Sequence, residues 1–388
     1  MDAFTTPSNW QKVRLGDIGI TISGLAGKTK QDFINGNAKY ITFLNVLNNV
    51  IIDTSILENV KIYPNEKQNS FKKYDLFFNT SSETPKEVGM CAVLLDDIDQ
   101  VFLNSFCFGF RIFDKAVDSL FLSYLINSEI GRKAFENLAQ GSTRYNLSKS
   151  GFNNVCLILP PLDEQIAIAN ILSDVDHYLY TLDALILKKE SVKKALSFEL
   201  LSQRKRLKGF NQAWQRARLG DICEITTGSL DANEMVHYGK YRFYTCAKEY
   251  YFIDKYAFDT EAILISGNGA YVGYVHYYKG KFNAYQRTYV LDNFSEHIIF
   301  VKYFLTMFLQ SHIQTNKNEG NTPYIVMATL KDFEIFLPPL NEQIAIANIL
   351  SALDSEIISL KNKKRQFENI KKALNHDLMS AKIRVLNK

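Results

Sequence analysis

The sequence predicts an α/β (α+β) protein written as an internal repeat: two globular domains, and two long helices that pair as a coiled coil. Three observations predict it. A fifteen-residue stretch occurs twice with one difference, apolar residues recur every seven positions after each copy, and the residues between alternate β-rich stretches with Gly, Asn and Ser turns.

At 388 residues, 46% hydrophobic and 22% charged, the chain is long and apolar enough for two or three buried cores, so disorder is not expected. Its five cysteines, Cys91, Cys107, Cys156, Cys223 and Cys246, are odd in number, widely spaced and without a C-x-x-C pair. Neither a disulfide framework nor a metal site is expected, and a reduced, cytoplasmic setting fits. No leader pattern opens the sequence and no apolar window reaches the roughly 18 residues of a membrane span, so no membrane partner is expected.

The formal net charge is +4, a weak pointer to nucleic acid when taken alone. Residues 1–158 hold 16 basic and 16 acidic side chains, and residues 214–336 hold 12 and 13. The excess falls in residues 159–213 (8 against 7) and 337–388 (9 against 5). Affinity of the globular parts for an anion must therefore come from local clusters.

The first marker of the repeat is Trp10-Gln-Lys-Val-Arg-Leu-Gly-Asp-Ile18, which returns as Trp214-Gln-Arg-Ala-Arg-Leu-Gly-Asp-Ile222. The second is Leu159-Pro-Pro-Leu-Asp-Glu-Gln-Ile-Ala-Ile-Ala-Asn-Ile-Leu-Ser173, which returns from Leu337 to Ser351 with only Asp163 changed, to Asn341. The two marker pairs are offset by different amounts, so the ends are fixed while the middles differ in length. This divides the chain into a domain at 1–158, a helical segment at 159–213, a second domain at 214–336 and a second helical segment at 337–388.

In the first domain, Phe71 to Leu94 reads as strand, and Ala262 to Leu291 does so in the second. The second domain is also dense in tyrosine, with twelve between Tyr238 and Tyr289. Such tyrosines are expected to pack on a sheet rather than to stack on bases.

After each Pro-Pro a helix is expected, with Asp163 or Asn341 as its N-cap. In the first helix the apolar stripes are Ile168, Val175, Leu182, Leu196 and Leu172, Leu179, Ile186, Leu200. In the second they are Ile346, Leu353, Leu360, Phe367, Leu374 and Leu350, Ile357, Leu378. Sustained over about five heptads, this is a coiled-coil seam, and some 40 helical residues span about 60 Å. Lys189, Lys193, Lys364 and Lys371 interrupt the stripes. Their stems are expected to pack with ammonium groups in water; the alternative is that they restrict register and partner choice.

The order of variable domain and Pro-Pro-Leu-x-Glu-Gln helix, given twice, resembles the specificity (S) subunit of type I restriction-modification systems across essentially the whole chain. The Arg-Leu-Gly-Asp openings at Arg14 and Arg218 match as well. So do the Gly141-Ser-Thr and Gly320-Asn-Thr turns and the closing Leu201-Ser-x-Arg-Lys-Arg206. The resemblance implies two target recognition domains, each reading one half of a bipartite, asymmetric double-stranded DNA site. It implies helices that run antiparallel about a pseudo-two-fold axis, space the domains and dock two modification (methyltransferase) subunits, with restriction (motor and nuclease) subunits added for cleavage. S-adenosylmethionine, ATP and Mg then belong to the partner subunits, and this non-catalytic chain binds none of them.

The residues agree: no phosphate-binding G-x-x-x-x-G-K-[ST] loop is present. Asn321-Thr-Pro-Tyr324 resembles the Asn-Pro-Pro-Tyr with which amino-methyltransferases hold a flipped base, but lacks its first proline. A DNA methyltransferase, or a coiled-coil adaptor that binds only proteins, are the rival readings. Base readout calls for polar side chains on loops that reach groove edges. The candidates are Lys28, Lys30, Ser81, Ser82, Lys86, Arg144 and Asn146 in the first domain, and Asn268, Tyr271, Arg287, Asn321 and Tyr324 in the second.

Overall fold

The computed structural model describes residues 7–136, 138, 141, 144–315 and 323–385. They form two compact units, one of Met1–Asp183 with Lys363–Lys388 and one of Ala184–Asn362. Compactness thus groups the residues differently from the linear four-part division, because each unit takes a half of both long helices.

In the first unit a four-stranded antiparallel sheet runs in the order Gly19–Ser23, Cys107–Ile112, Leu76–Asn79, Cys91–Val93. A three-stranded sheet of Glu58–Val60, Ala38–Ile41 and Val101–Leu103 lies apart from it in the pairing. The core is built from phenylalanine: Phe78, Phe108, Phe110 and Phe135 all bring their rings within 6.1 Å of Phe152. The second unit has one six-stranded sheet, in the order Glu224–Thr227, Thr288–Asp292, Phe258–Ser266, Val275–Ala284, Tyr241–Tyr244, Tyr251–Ile253. Helix Ile298–Thr315 packs on the face that carries Ile263, Ile265 and Leu291.

The two repeat markers are the two strands of one clasp. Gln11–Arg14 pairs antiparallel with Cys156–Leu159, putting Gln11 opposite Leu159 and Arg14 opposite Cys156. Gln215–Arg218 pairs with Glu334–Leu337 in the same register, Gln215 opposite Leu337 and Arg218 opposite Glu334. Everything variable is inserted between these strands, which is why the ends stay fixed while the middles change length. The glycine of Arg-Leu-Gly-Asp is set by close approach: a Cβ on Gly16 would lie 2.9 Å from the Asn153 carbonyl oxygen, and one on Gly220 would lie 3.0 Å from Lys331 Cβ.

Both long helices form, over Leu162–Leu201 and Leu340–Met379. Each begins directly after the prolines, so Asp163 sits in the first turn rather than at the N-cap expected for it, and Asn341 likewise lies inside the helix. By length and composition Leu340–Met379 could cross a membrane, where the sequence count found no such window. Many of its apolar residues, Ile346, Leu350, Ile357 and Leu378 among them, are buried in seam and core, while Leu340, Ile358 and Ile370 are exposed.

Within each unit the helix halves run antiparallel. In the first unit Glu164, Asp176 and Asp183 meet Arg384, Lys371 and Lys364, so the partner number falls as the first rises. In the second, Lys189, Lys193 and Arg206 meet Glu356, Asp354 and Glu342. Every named seam position is buried or half-buried. The four stripe-breaking lysines do not merely reach water as expected: Lys189, Lys193, Lys364 and Lys371 each pair with a carboxylate on the facing helix. A lysine matched to one acid fixes the register, as a polar residue in an apolar seam does.

Candidate nucleic-acid interface

The repeated motif fastens each globular domain, or head (residues 1–158 and 214–336), to its helix. Glu164 is buried and accepts two hydrogen bonds from Arg384, at 2.6 and 2.8 Å. Glu342 is buried and accepts two from Arg206, at 2.8 and 2.6 Å, with a third at 3.2 Å from the Trp214 indole. The neighbouring glutamine is a staple. Gln165 accepts from the Asp118 amide and donates to the Ala116 and Pro160 carbonyls, while Gln343 accepts from the His297 amide and donates to the Pro338 carbonyl and Glu296. Ile168, Ala169 and Leu172 enter one head core; Ile346, Ala347 and Leu350 enter the other. Each head adds a tyrosine, with Tyr124 donating to Asp176 at 2.7 Å and Tyr303 to Asp354 at 2.6 Å. Burial would raise the Asp354 carboxyl, but hydrogen bonds from Lys193 and Tyr303 hold it below the ordinary carboxylate range.

With each head so anchored, two separated loops meet at the same place in both. In the first, Ser81–Ser82 pairs with Tyr145–Asn146. In the second, Asn268 bridges to Tyr324, the Gly269 amide donates to the Pro323 carbonyl at 2.9 Å, and the Ile325 amide donates to Gly267 at 2.9 Å. Gly267 in turn donates to the Arg287 carbonyl at 2.8 Å. The structure therefore gathers Asn268, Tyr271, Arg287 and Tyr324 around one loop junction. Asn321 lies outside the described residues.

In the first head Arg144, Asn146 and Lys86 stand exposed near the equivalent junction, with the Arg144 guanidinium 5.6 Å from the exposed Phe106 ring. Ser81 and Ser82 do not fit the role expected of them. They are 4% and 8% exposed, and Ser82 donates to Glu87 at 2.7 Å, because the pairing strand covers them. Lys28 is also spent internally. Its side chain is 5% exposed and bonds Glu66 at 2.5 Å and the Lys61 carbonyl at 2.6 Å, drawing the Glu66 carboxyl down to about 2. Lys30 is exposed elsewhere, at the start of the short 3-10 helix Lys30–Phe33.

The tyrosines divide. Tyr244 and Tyr289 pack in the sheet as expected, but Tyr238, Tyr250, Tyr251, Tyr256, Tyr271 and Tyr274 are exposed. Packing therefore accounts for only part of that density. Sequence reasoning missed Phe106 and Lys248, whose ammonium lies 5.2 Å from the Tyr271 ring centre. In sequence each is about 20 residues from the nearest named candidate, so only the fold brings Phe106 to Arg144 and Lys248 to Tyr271. Among the described residues no cluster of three His, Cys, Asp or Glu is placed to hold a metal.

The family described as "Type I restriction modification DNA specificity domain" matches residues 7–190 and again residues 211–369. The chain belongs to this family. Each match opens at a clasp strand and runs into a long helix, so the family domain is head plus anchor. A type I restriction enzyme EcoDI specificity subunit of Escherichia coli is 39% identical over 162 residues, which are 41% of this chain and 35% of that one. The MjaVIII specificity subunit of Methanocaldococcus jannaschii is 24% identical over all of this chain and 96% of its own. Among solved structures, the S subunit of a type I system from M. genitalium has a TM-score of 0.66 at 18% identity, covering 96% of this chain and 97% of that one. This last likeness concerns the fold.

Proposed function

We propose that this chain is the non-catalytic, sequence-reading subunit of a type I restriction-modification complex, and that each head reads one half of a bipartite, asymmetric site on double-stranded DNA. The observation that carries the reading is the duplication itself: one anchoring clasp used twice, with a different loop junction mounted on each. Different junctions mean different half-sites, so the full site is not a palindrome. The helices set the unread gap and dock two modification subunits, and restriction subunits join for cleavage. S-adenosylmethionine, ATP and Mg act on those partners, and this subunit binds none of them.

Each head has nearly balanced charge, so phosphate contacts alone give weak binding and specificity comes with the modification subunits. Methylome sequencing of cells co-expressing the chain with its modification subunit tests the reading. The expected result is one bipartite motif with unlike halves. A palindromic motif, or no methylation that depends on this chain, overturns it.

A further inference from the structure

Arg242 and Tyr244 alternate along strand Tyr241–Tyr244, so they share one face of the six-stranded sheet. The Arg242 guanidinium lies between two rings, 4.2 Å from the centre of Tyr250 and 4.4 Å from that of Tyr278. Among the described residues no carboxylate pairs with it, and its one hydrogen bond goes from Nη1 to the Tyr244 hydroxyl at 3.3 Å. None of its nitrogens is buried without a partner, so the remaining donors open to solvent. From this clamp a run of rings leads to the loop junction: Tyr244 to His276 at 5.2 Å, then His276 to Tyr274 at 4.7 Å. The run is open at both ends, with Tyr250 39% and Tyr274 37% exposed.

An arginine held for packing or stability is ordinarily given an acid. This one is given two aromatic faces, which hold the plane of the fork and, apart from the Nη1 bond to Tyr244, leave its donors open. A fork with a fixed plane suits two coplanar acceptors, the arrangement that guanine O6 and N7 present in the major groove. A phosphate accepts from a mobile side chain as readily, and exposed Lys248 and Arg287 at the junction offer that.

We propose that Arg242, clamped between Tyr250 and Tyr278, reads a guanine in the half-site of the second head. This rests on the DNA-reading function proposed above. The test uses the full chain assembled with its modification subunits and duplexes carrying the motif found by methylome sequencing. Each guanine of the second half-site is replaced in turn by 7-deazaguanine, which lacks the N7 acceptor.

The expected result is that one position loses binding by roughly ten- to a hundredfold with the wild-type complex, as a bidentate base contact supplies. Arg242→Lys should show no further loss at that position. A second half-site without guanine, or no guanine that responds in the wild type, overturns the assignment whether or not the variant folds. So does an Arg242→Lys complex that weakens uniformly while every guanine response persists, since Arg242 would then contact phosphate. If the wild type methylates no bipartite motif, the parent reading fails; if it does and no guanine responds, only this inference fails.

Discussion

Replacing Glu342 by alanine tests whether the repeated Glu-Gln motif is a structural anchor. The substitution removes an acid whose side chain is 1% exposed and strands the Arg206 guanidinium and the Trp214 indole, both of which donate to it. Breaking a buried ion pair from one side costs about 3–5 kcal/mol. Arg206 is 27% exposed and turns partly to water, which places the loss near 3 kcal/mol. At about 2–4 °C per kcal/mol for a unit of roughly 150–250 residues, the melting temperature of the second unit falls by about 6–12 °C. The chain has two tryptophans, Trp10 in the first unit and Trp214 in the second, so emission in a Trp10→Phe background follows the second unit alone. Methionine at both Arg206 and Glu342 should recover most of the loss, because no charge is left unpaired. A fall under about 2 °C for the single variant, or a double variant no more stable than it, refutes the anchoring role.

Acid should act on the second unit through Asp354. Its carboxyl is held below the ordinary 3.8, so as pH falls the unfolded chain takes up the proton first. The contribution is complete above about pH 4 and lost as pH falls through the folded value, and Asp354→Asn should flatten that part of a stability profile measured by denaturant titration. Ser82→Ala should leave the methylated motif unchanged, whereas Arg287→Ala or Asn268→Ala should weaken or relax the second half-site alone; methylome sequencing reads both. Lengthening the helices should widen the unread gap. Four residues after Asp183, beyond the stretch that anchors the first head, add about 6 Å and a little more than one full turn, close to two base-pair rises. The antiparallel ion pairs require four more in the facing stretch before Lys363, and an insertion in one helix only should lower stability rather than shift the gap.

The architecture was legible because its signals are repeated and periodic. Two copies of one motif fix the boundaries of two anchors, and a seven-residue stripe fixes the seam, since both depend on local spacing. The ion pairs across that seam were not legible: the partners of Lys193 and Arg206 lie on the facing helix, and only the antiparallel register brings Asp354 and Glu342 to them. The Leu159 marker returns at Leu337, an offset of 178 that also matches Arg206 with Arg384 and Asp176 with Asp354, so the symmetry of the pairs is visible in the sequence while their chemistry is not.

The loops show a different limit. Polar residues in turns are called up equally by solvent, by turn geometry and by a ligand, and no period separates the three. Ser81 and Asn268 fell in comparable turns, yet the first is covered by a pairing strand whereas the second is left at a junction with Tyr324 and Arg287 nearby. What decides is whether a distant segment returns to consume the hydrogen-bonding groups, and that is settled by tertiary closure rather than by composition. The same argument picks out Arg242. A charged residue inside a strand reads as a solvated edge position until the sheet places two aromatic rings against it and, among the described residues, no carboxylate pairs with it. Specificity should therefore be sought where closure holds a donor group in place and leaves part of it open, and among the described residues of the second head Arg242 meets that condition.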